Sequence, residues 1–186
     1  MKVISGKLKG RNIKGFDIVG TRPTMDRVKE SIFSMIQDSI NNSVCLDLFA
    51  GSGNLGIESL SNGALTVYFN DYNKKCIQII RENLENFNVI NNSIITNMDY
   101  LEALNFYKNK GIKFDVVFLD PPYKKRIINK ILEVLEKNNL LNDDALVICE
   151  MMENEEYLSN ILSLYKERSY GDKIVKIYKC FEKNVK

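Results

Sequence analysis

"LDLFAGSGNLGIESL", residues 46–60, carries an apolar run through three glycines into a stretch of helical spacing. Gly51, Gly53 and Gly56 stand at GxGxxG spacing, and Asp71 follows Gly51 by twenty residues at the end of the next apolar run. That arrangement predicts a strand, a tight turn and a helix whose backbone approaches a nucleoside, with a carboxylate at the second strand end for the ribose hydroxyls. The plain alternative is a tight turn with a surface aspartate.

Working outward, β-branched apolar runs at 44–49, 66–71, 93–98, 114–120 and 145–151 alternate with helical stretches. Five such runs with crossover helices predict a parallel sheet covered on both faces. Beyond them a helical stretch is expected over 154–164, then two strand-like pieces around Gly171-Asp172, a β-hairpin that makes the last strand antiparallel. Before them, "TRPTMDRVKESIFSMIQDSI" (21–40) repeats Val28, Ile32, Met35, Ile36 and Ile40 at helical spacing, with Thr24 as N-cap and Pro23 just ahead of it. Residues 2–18, broken by Gly6, Gly10 and Gly15, suggest a β-hairpin. The expected organisation is an N-terminal β-hairpin extension over 1–22 and one domain over 23–186. The fold class is α/β, a Rossmann-like, doubly wound, mostly parallel seven-stranded sheet.

Composition narrows the chemistry. The chain of 186 residues contains no histidine, which excludes Ser-His-Asp and Cys-His nucleophiles, histidine-ligated metals and histidine bases. Cys45, Cys76, Cys149 and Cys180 are widely spaced, without a CxxC pair, and are expected as buried free thiols. No metal is expected. Without an apolar run near 18 residues or the apolar core of a signal peptide, a soluble cytoplasmic chain is expected. Net charge is +2, yet residues 1–30 hold eight Lys/Arg against three Asp/Glu, so basic surface gathers at the N-terminus.

The glycine spacing alone also fits a dinucleotide site. Asp47 argues against one, because a carboxylate four residues before Gly51 suits a cationic ligand better than a pyrophosphate. A Tyr-xxx-Lys pair for hydride chemistry is missing as well. The Asp-x-Phe-x-Gly-x-Gly pattern of residues 47–53 resembles the first motif of class I S-adenosylmethionine (AdoMet) methyltransferases. The resemblance implies that Asp47, Phe49, Ala50, Gly51, Ser52, Gly53, Asp71 and Tyr72 line an AdoMet site. Asp99 matches the place where that superfamily contacts the adenine amino group, while its position also suits a helix N-cap.

"DPPY", residues 120–123, ends the fourth apolar run and resembles the motif of amino-methyltransferases acting on a base NH₂. An exocyclic nitrogen is a poor nucleophile because its lone pair is delocalised. The Asp120 carboxylate and Pro121 carbonyl are placed to accept its two N–H bonds, Pro122 helps to stiffen the turn, and Tyr123 offers a face for stacking. A strand terminator with a surface aromatic is the alternative reading.

Together with "TRPTMDRVKESIFSMI" and the opening "ISGKLKGRNI", these motifs closely resemble the RsmD-type family of 16S ribosomal RNA guanine-N2 methyltransferases over nearly the whole chain. The resemblance implies methyl transfer to guanine 966 of 16S rRNA on the small subunit; separately, a monomer is expected. The motifs themselves do not choose guanine over adenine, and an adenine-N6 methyltransferase or a non-catalytic RNA-binding assembly factor are the competing readings. Lys7, Lys9, Arg11, Lys14, Arg22, Arg27 and Lys29 are candidate RNA phosphate contacts. Arg22 and Thr24 equally suit the methionine end of the AdoMet pocket.

Overall fold

The computed structural model describes residues 1–15, 23–122, 127–152 and 154–181. α1 (Pro23–Ile40) leads into β1 (Val44–Asp47), α2 (Asn54–Ser61), β2 (Thr66–Asn70), α3 (Lys74–Asn86), β3 (Ser93–Thr96), α4 (Tyr100–Asn109), β4 (Phe114–Leu119), α5 (Ile128–Lys137) and β5 (Leu141–Met151). β6 (Leu162–Tyr170) and β7 (Lys173–Cys180) complete a seven-stranded sheet of order β3-β2-β1-β4-β5-β7-β6. The pairs β1–β2, β2–β3, β1–β4 and β4–β5 are parallel, and β7 runs antiparallel to β5 and β6. The expected doubly wound architecture is therefore present.

Alternation along the central strands divides the core. Cys45, Val116, Phe118 and Ile148 join Ile32, Ile36, Ile57, Ile80 and Leu84 from α1, α2 and α3 on one face. Leu46, Val117, Leu119 and Val147 meet Leu104, Tyr107, Ile131 and Leu135 from α4 and α5 on the other. With both faces covered, the central strands need near-continuous apolar sequence, which is why their runs were legible. All four cysteines are buried and free, as expected.

Two local expectations are corrected. Residues 154–160 are irregular and β6 begins at Leu162, so no helix covers 154–164. The Ser159 hydroxyl accepts the amides of Ile161 and Leu162 at 3.0 Å each, a local alternative to helical bonding, and β7 then supplies a ladder partner. α1 starts at Pro23, which occupies the first helical position, so Thr24 lies inside the helix and is not its cap. The expected N-terminal hairpin is present in short form, as an antiparallel bridge between Lys2 and Asn12 with bonds Val3 N to Arg11 O (3.0 Å) and Ile13 N to Met1 O (2.9 Å) around a 3₁₀ turn at Gly6–Leu8. Expectations for 16–22 fall outside the described residues.

α2 crosses the sheet at close range. A Cβ built on Gly56 would lie 2.2 Å from Cε1 of Phe69 in β2. Gly56→Ala is therefore expected to cost about 1–3 kcal/mol through overpacking, with Phe69→Leu in the same chain recovering part of it. Urea unfolding of the single and double variants checks this.

Candidate active site

β1 lies between β2, reached through α2, and β4, reached through α4, so the order of strands reverses at β1. Ligands of doubly wound sheets sit at that reversal, beyond the C-terminal strand ends. The glycine loop, Asp71, Asp99 and the Asp120–Pro122 turn all follow those ends.

The loop turns through Gly51 (φ 56°) and Gly53 (φ 81°), left-handed conformations in which a side chain would be strained. A Cβ on Gly51 would meet nothing within 4 Å, so the loop faces open space on the side where a ligand would approach. Ala50 and Ser52 are buried and pack beneath the turn, leaving backbone as what the loop offers. Ala50 N donates to Asn70 O at 2.9 Å, fastening the loop to β2.

Asp71 is almost fully buried, and each of its oxygens holds one backbone amide: Oδ2 accepts Gly51 N at 2.9 Å and Oδ1 accepts Asn73 N at 2.9 Å. The Cys76 thiol also bonds this carboxylate, which has about four acceptor sites, so capacity for a ligand hydroxyl remains. Asp47 is also buried, and its Oδ2 accepts Gly56 N at 3.0 Å. Burial pushes its carboxyl up to about 7; the Gly56 amide opposes the rise, while Asp71 and Glu150 add to it. Its first task is thus to hold the start of α2, and its charge is held in reserve.

Beside the loop, Leu48, Phe49, Asn70, Tyr72, Met98, Asp99, Tyr100, Pro122 and Ile127 line a cavity. The rings of Phe49 and Tyr100 pack against each other with centres 5.7 Å apart, forming an apolar wall of the cavity with a carboxylate at its rim. Asp99 caps α4, accepting Leu101 N at 3.0 Å within a capping box with Glu102, so the capping role is present at the edge of the same cavity. Pro121 is buried, Asp120 half-buried and Pro122 exposed on the cavity wall. Tyr123 lies outside the described residues.

Of the basic candidates, Lys7, Arg11 and Arg27 are exposed. The Arg11 guanidinium donates to Asn86 O at 2.6 Å and sits 4.5 Å from the centre of the Phe87 ring. Lys29 is a correction: it is 2% exposed, its ammonium lies 2.9 Å from the Glu58 carboxylate, and it has no route to a phosphate. Arg22 lies outside the described residues, as does the side chain of Thr24.

Sequence reasoning missed Asn70. Its amide donates to Leu48 O (3.2 Å) and Met98 O (3.1 Å), and its carbonyl oxygen accepts the Thr96 hydroxyl at 2.9 Å. Thr96 in turn bonds the Tyr107 hydroxyl at 2.7 Å. One buried amide thus ties together the ends of three strands. The available signal was an asparagine before Asp71 in an otherwise apolar strand.

A sheet of this order, with a glycine loop after β1, a carboxylate after β2 and Asp-Pro-Pro after β4, defines the class I methyltransferase fold. A family model described as "Conserved hypothetical protein 95" matches residues 1–179. YlbH of Bacillus subtilis (strain 168) is 37% identical over 181 residues, covering 96% of this chain and 98% of that protein. "Ribosomal RNA small subunit methyltransferase D" of Escherichia coli (strain K12) is 32% identical over 181 residues, 96% of this chain and 89% of its own length. Among solved structures, yhhF from Escherichia coli superposes with a TM-score of 0.85 at 31% identity, covering 98% and 99% of the two chains. An RNA methyltransferase from Salinibacter ruber, solved with S-adenosyl-L-homocysteine, shares the fold at a TM-score of 0.64 and 16% identity, covering 89% and 95%. The chain belongs to the RsmD-type family of rRNA methyltransferases.

Asp47 generates a pH dependence. Protonated below about pH 7 it is neutral, and ionised above it attracts a cation, so affinity for the sulfonium ligand AdoMet is expected to rise several-fold between about pH 6 and about pH 8. Asp47→Asn, which keeps an acceptor for Gly56, flattens the rise. Calorimetric titrations across that range check both outcomes.

Proposed function

We propose that this chain transfers a methyl group from AdoMet to the exocyclic N2 of a guanine in 16S rRNA, guanine 966, on the small ribosomal subunit in the cytoplasm. The observation that carries the reading is the seating of Asp120-Pro121-Pro122 at the end of β4, with Pro122 in the wall of the cavity shared by Phe49, Tyr72 and Asp99. Family membership supports an rRNA substrate, and the exposed Lys7, Arg11 and Arg27 support phosphate contact from the extension (1–22) and α1.

The residues present fit AdoMet. The open side of Gly51 admits a ligand against backbone, Asp71 keeps acceptor capacity for a ribose hydroxyl, and the apolar wall of Phe49 and Tyr100 with Asp99 at its rim suits one face of an aminopurine. Bound there, AdoMet supplies an electrophilic methyl on a sulfonium. The Asp120 carboxylate and the Pro121 carbonyl accept the two N–H bonds of the guanine amino group and favour its rehybridisation toward a tetrahedral nitrogen. The prolines fix φ and restrict the residue before each, so the two acceptors are held before substrate arrives. Tyr123 supplies a stacking face worth about 1–3 kcal/mol, comparable with the cost of extruding a base.

Asp120→Ala is expected to abolish methyl transfer to unmodified small subunits while AdoMet affinity stays within about threefold. Asp71→Ala is expected to weaken AdoMet binding by tenfold or more, on the order of the loss of a charge-assisted hydrogen bond. Turnover retained by the Asp120 variant contradicts the assignment.

A further inference from the structure

The buried Lys29–Glu58 pair has no part in the chemistry above, yet it is costly. Taking both ions out of water is repaid only when every donor and acceptor is used. Here they are. The Lys29 ammonium reaches Glu58 Oε2 (2.9 Å), Lys2 O (2.6 Å) and Asn54 Oδ1 (2.8 Å), three partners for three donors. Glu58 accepts Ile4 N (3.0 Å), Ser5 N (2.8 Å) and the Ser5 hydroxyl (2.8 Å). The junction therefore joins the N-terminal segment and α1 to Asn54, the residue directly after Gly53 in the glycine loop.

A second bridge reaches the same loop from the other end of the segment. Asn83 in α3 accepts Lys14 N (2.9 Å) and donates to Lys14 O (2.9 Å) and to Ser52 O (3.0 Å). The loop is thus gripped at Ser52 and at Asn54, on either side of Gly53, by side chains that also hold residues 2–14. Those residues carry Lys7 and Arg11, both exposed.

We propose that residues 2–14 are a positioning element for the cofactor loop: docked through Lys29–Glu58 and Asn83, they hold the loop in its AdoMet-binding shape, and AdoMet binding in turn holds the segment docked. Such linkage is reciprocal by thermodynamic necessity. Because the segment also carries the proposed RNA contacts, RNA held there favours a loaded cofactor site. The inference rests on the AdoMet reading above.

The test combines calorimetry with hydrogen exchange on the full chain. In the unaltered protein, saturating AdoMet is expected to slow exchange of the Ile4, Ser5 and Lys14 amides by about tenfold or more. The double variant Asn54→Ala, Asn83→Ala leaves no buried charge unpaired. It is expected to unfold cooperatively like the parent, to bind AdoMet about tenfold more weakly, and to show no AdoMet-dependent protection of those amides. The pair Lys29→Met with Glu58→Gln, which neutralises the junction at similar volume, gives an independent second reading with the same expected outcome. AdoMet binding that leaves the segment's exchange unchanged in the parent, or parental AdoMet affinity in both variants, overturns the inference alone. No heat of AdoMet binding by the parent overturns the cofactor reading itself.

Discussion

Between Gly56 and the ring of Phe69 there is no room for a methyl group, and the geometry of the site follows from that close approach. α2 can settle onto β1 and β2 only because position 56 lacks a side chain. Once it does, its first turn presents Gly56 N to Asp47, and the preceding loop brings Gly51 N onto Asp71. Two carboxylates at adjacent strand ends are thereby fixed by backbone amides, and the loop's outer side is left open. Asn70 completes the frame by tying the ends of β1, β2 and β3.

The electrostatics are those of a site that stores charge at a cost. Asp47 is buried among other acids and is held protonated up to about pH 7 by that burial. On the proposed reading, a cationic ligand would relieve the penalty, and the same desolvation that weakens the ionised state would add to selectivity for a sulfonium. On the far side of α2 the problem is solved differently, because Lys29 and Glu58 are each saturated with partners.

Much of this was legible in the sequence, and the reasons are physical. Buried parallel strands write themselves as apolar runs, and a tight strand-to-helix turn writes itself as glycines, so β1 to β5, the loop and Asp71 could be placed from the residues. Lys29 could not. A lysine beside Asp26, Arg27 and Glu30 on a helix reads as solvated charge, and its burial depends on Glu58, Lys2 and Asn54 meeting through tertiary contacts that spacing does not encode. Asn70 was hidden for the same reason. The 154–164 stretch misled because Tyr157, Leu158, Ile161 and Leu162 imitate helical spacing, while Leu158 is 90% exposed and a Ser159 turn feeds an edge strand.

The central claim is that one pocket presents a methyl donor to the amino group of a guanine. It is tested most directly by incubating the protein with methyl-labelled AdoMet and small subunits lacking the modification, then digesting the RNA to nucleosides. The account predicts label in N2-methylguanosine. Label in N6-methyladenosine, or none in the RNA, contradicts it.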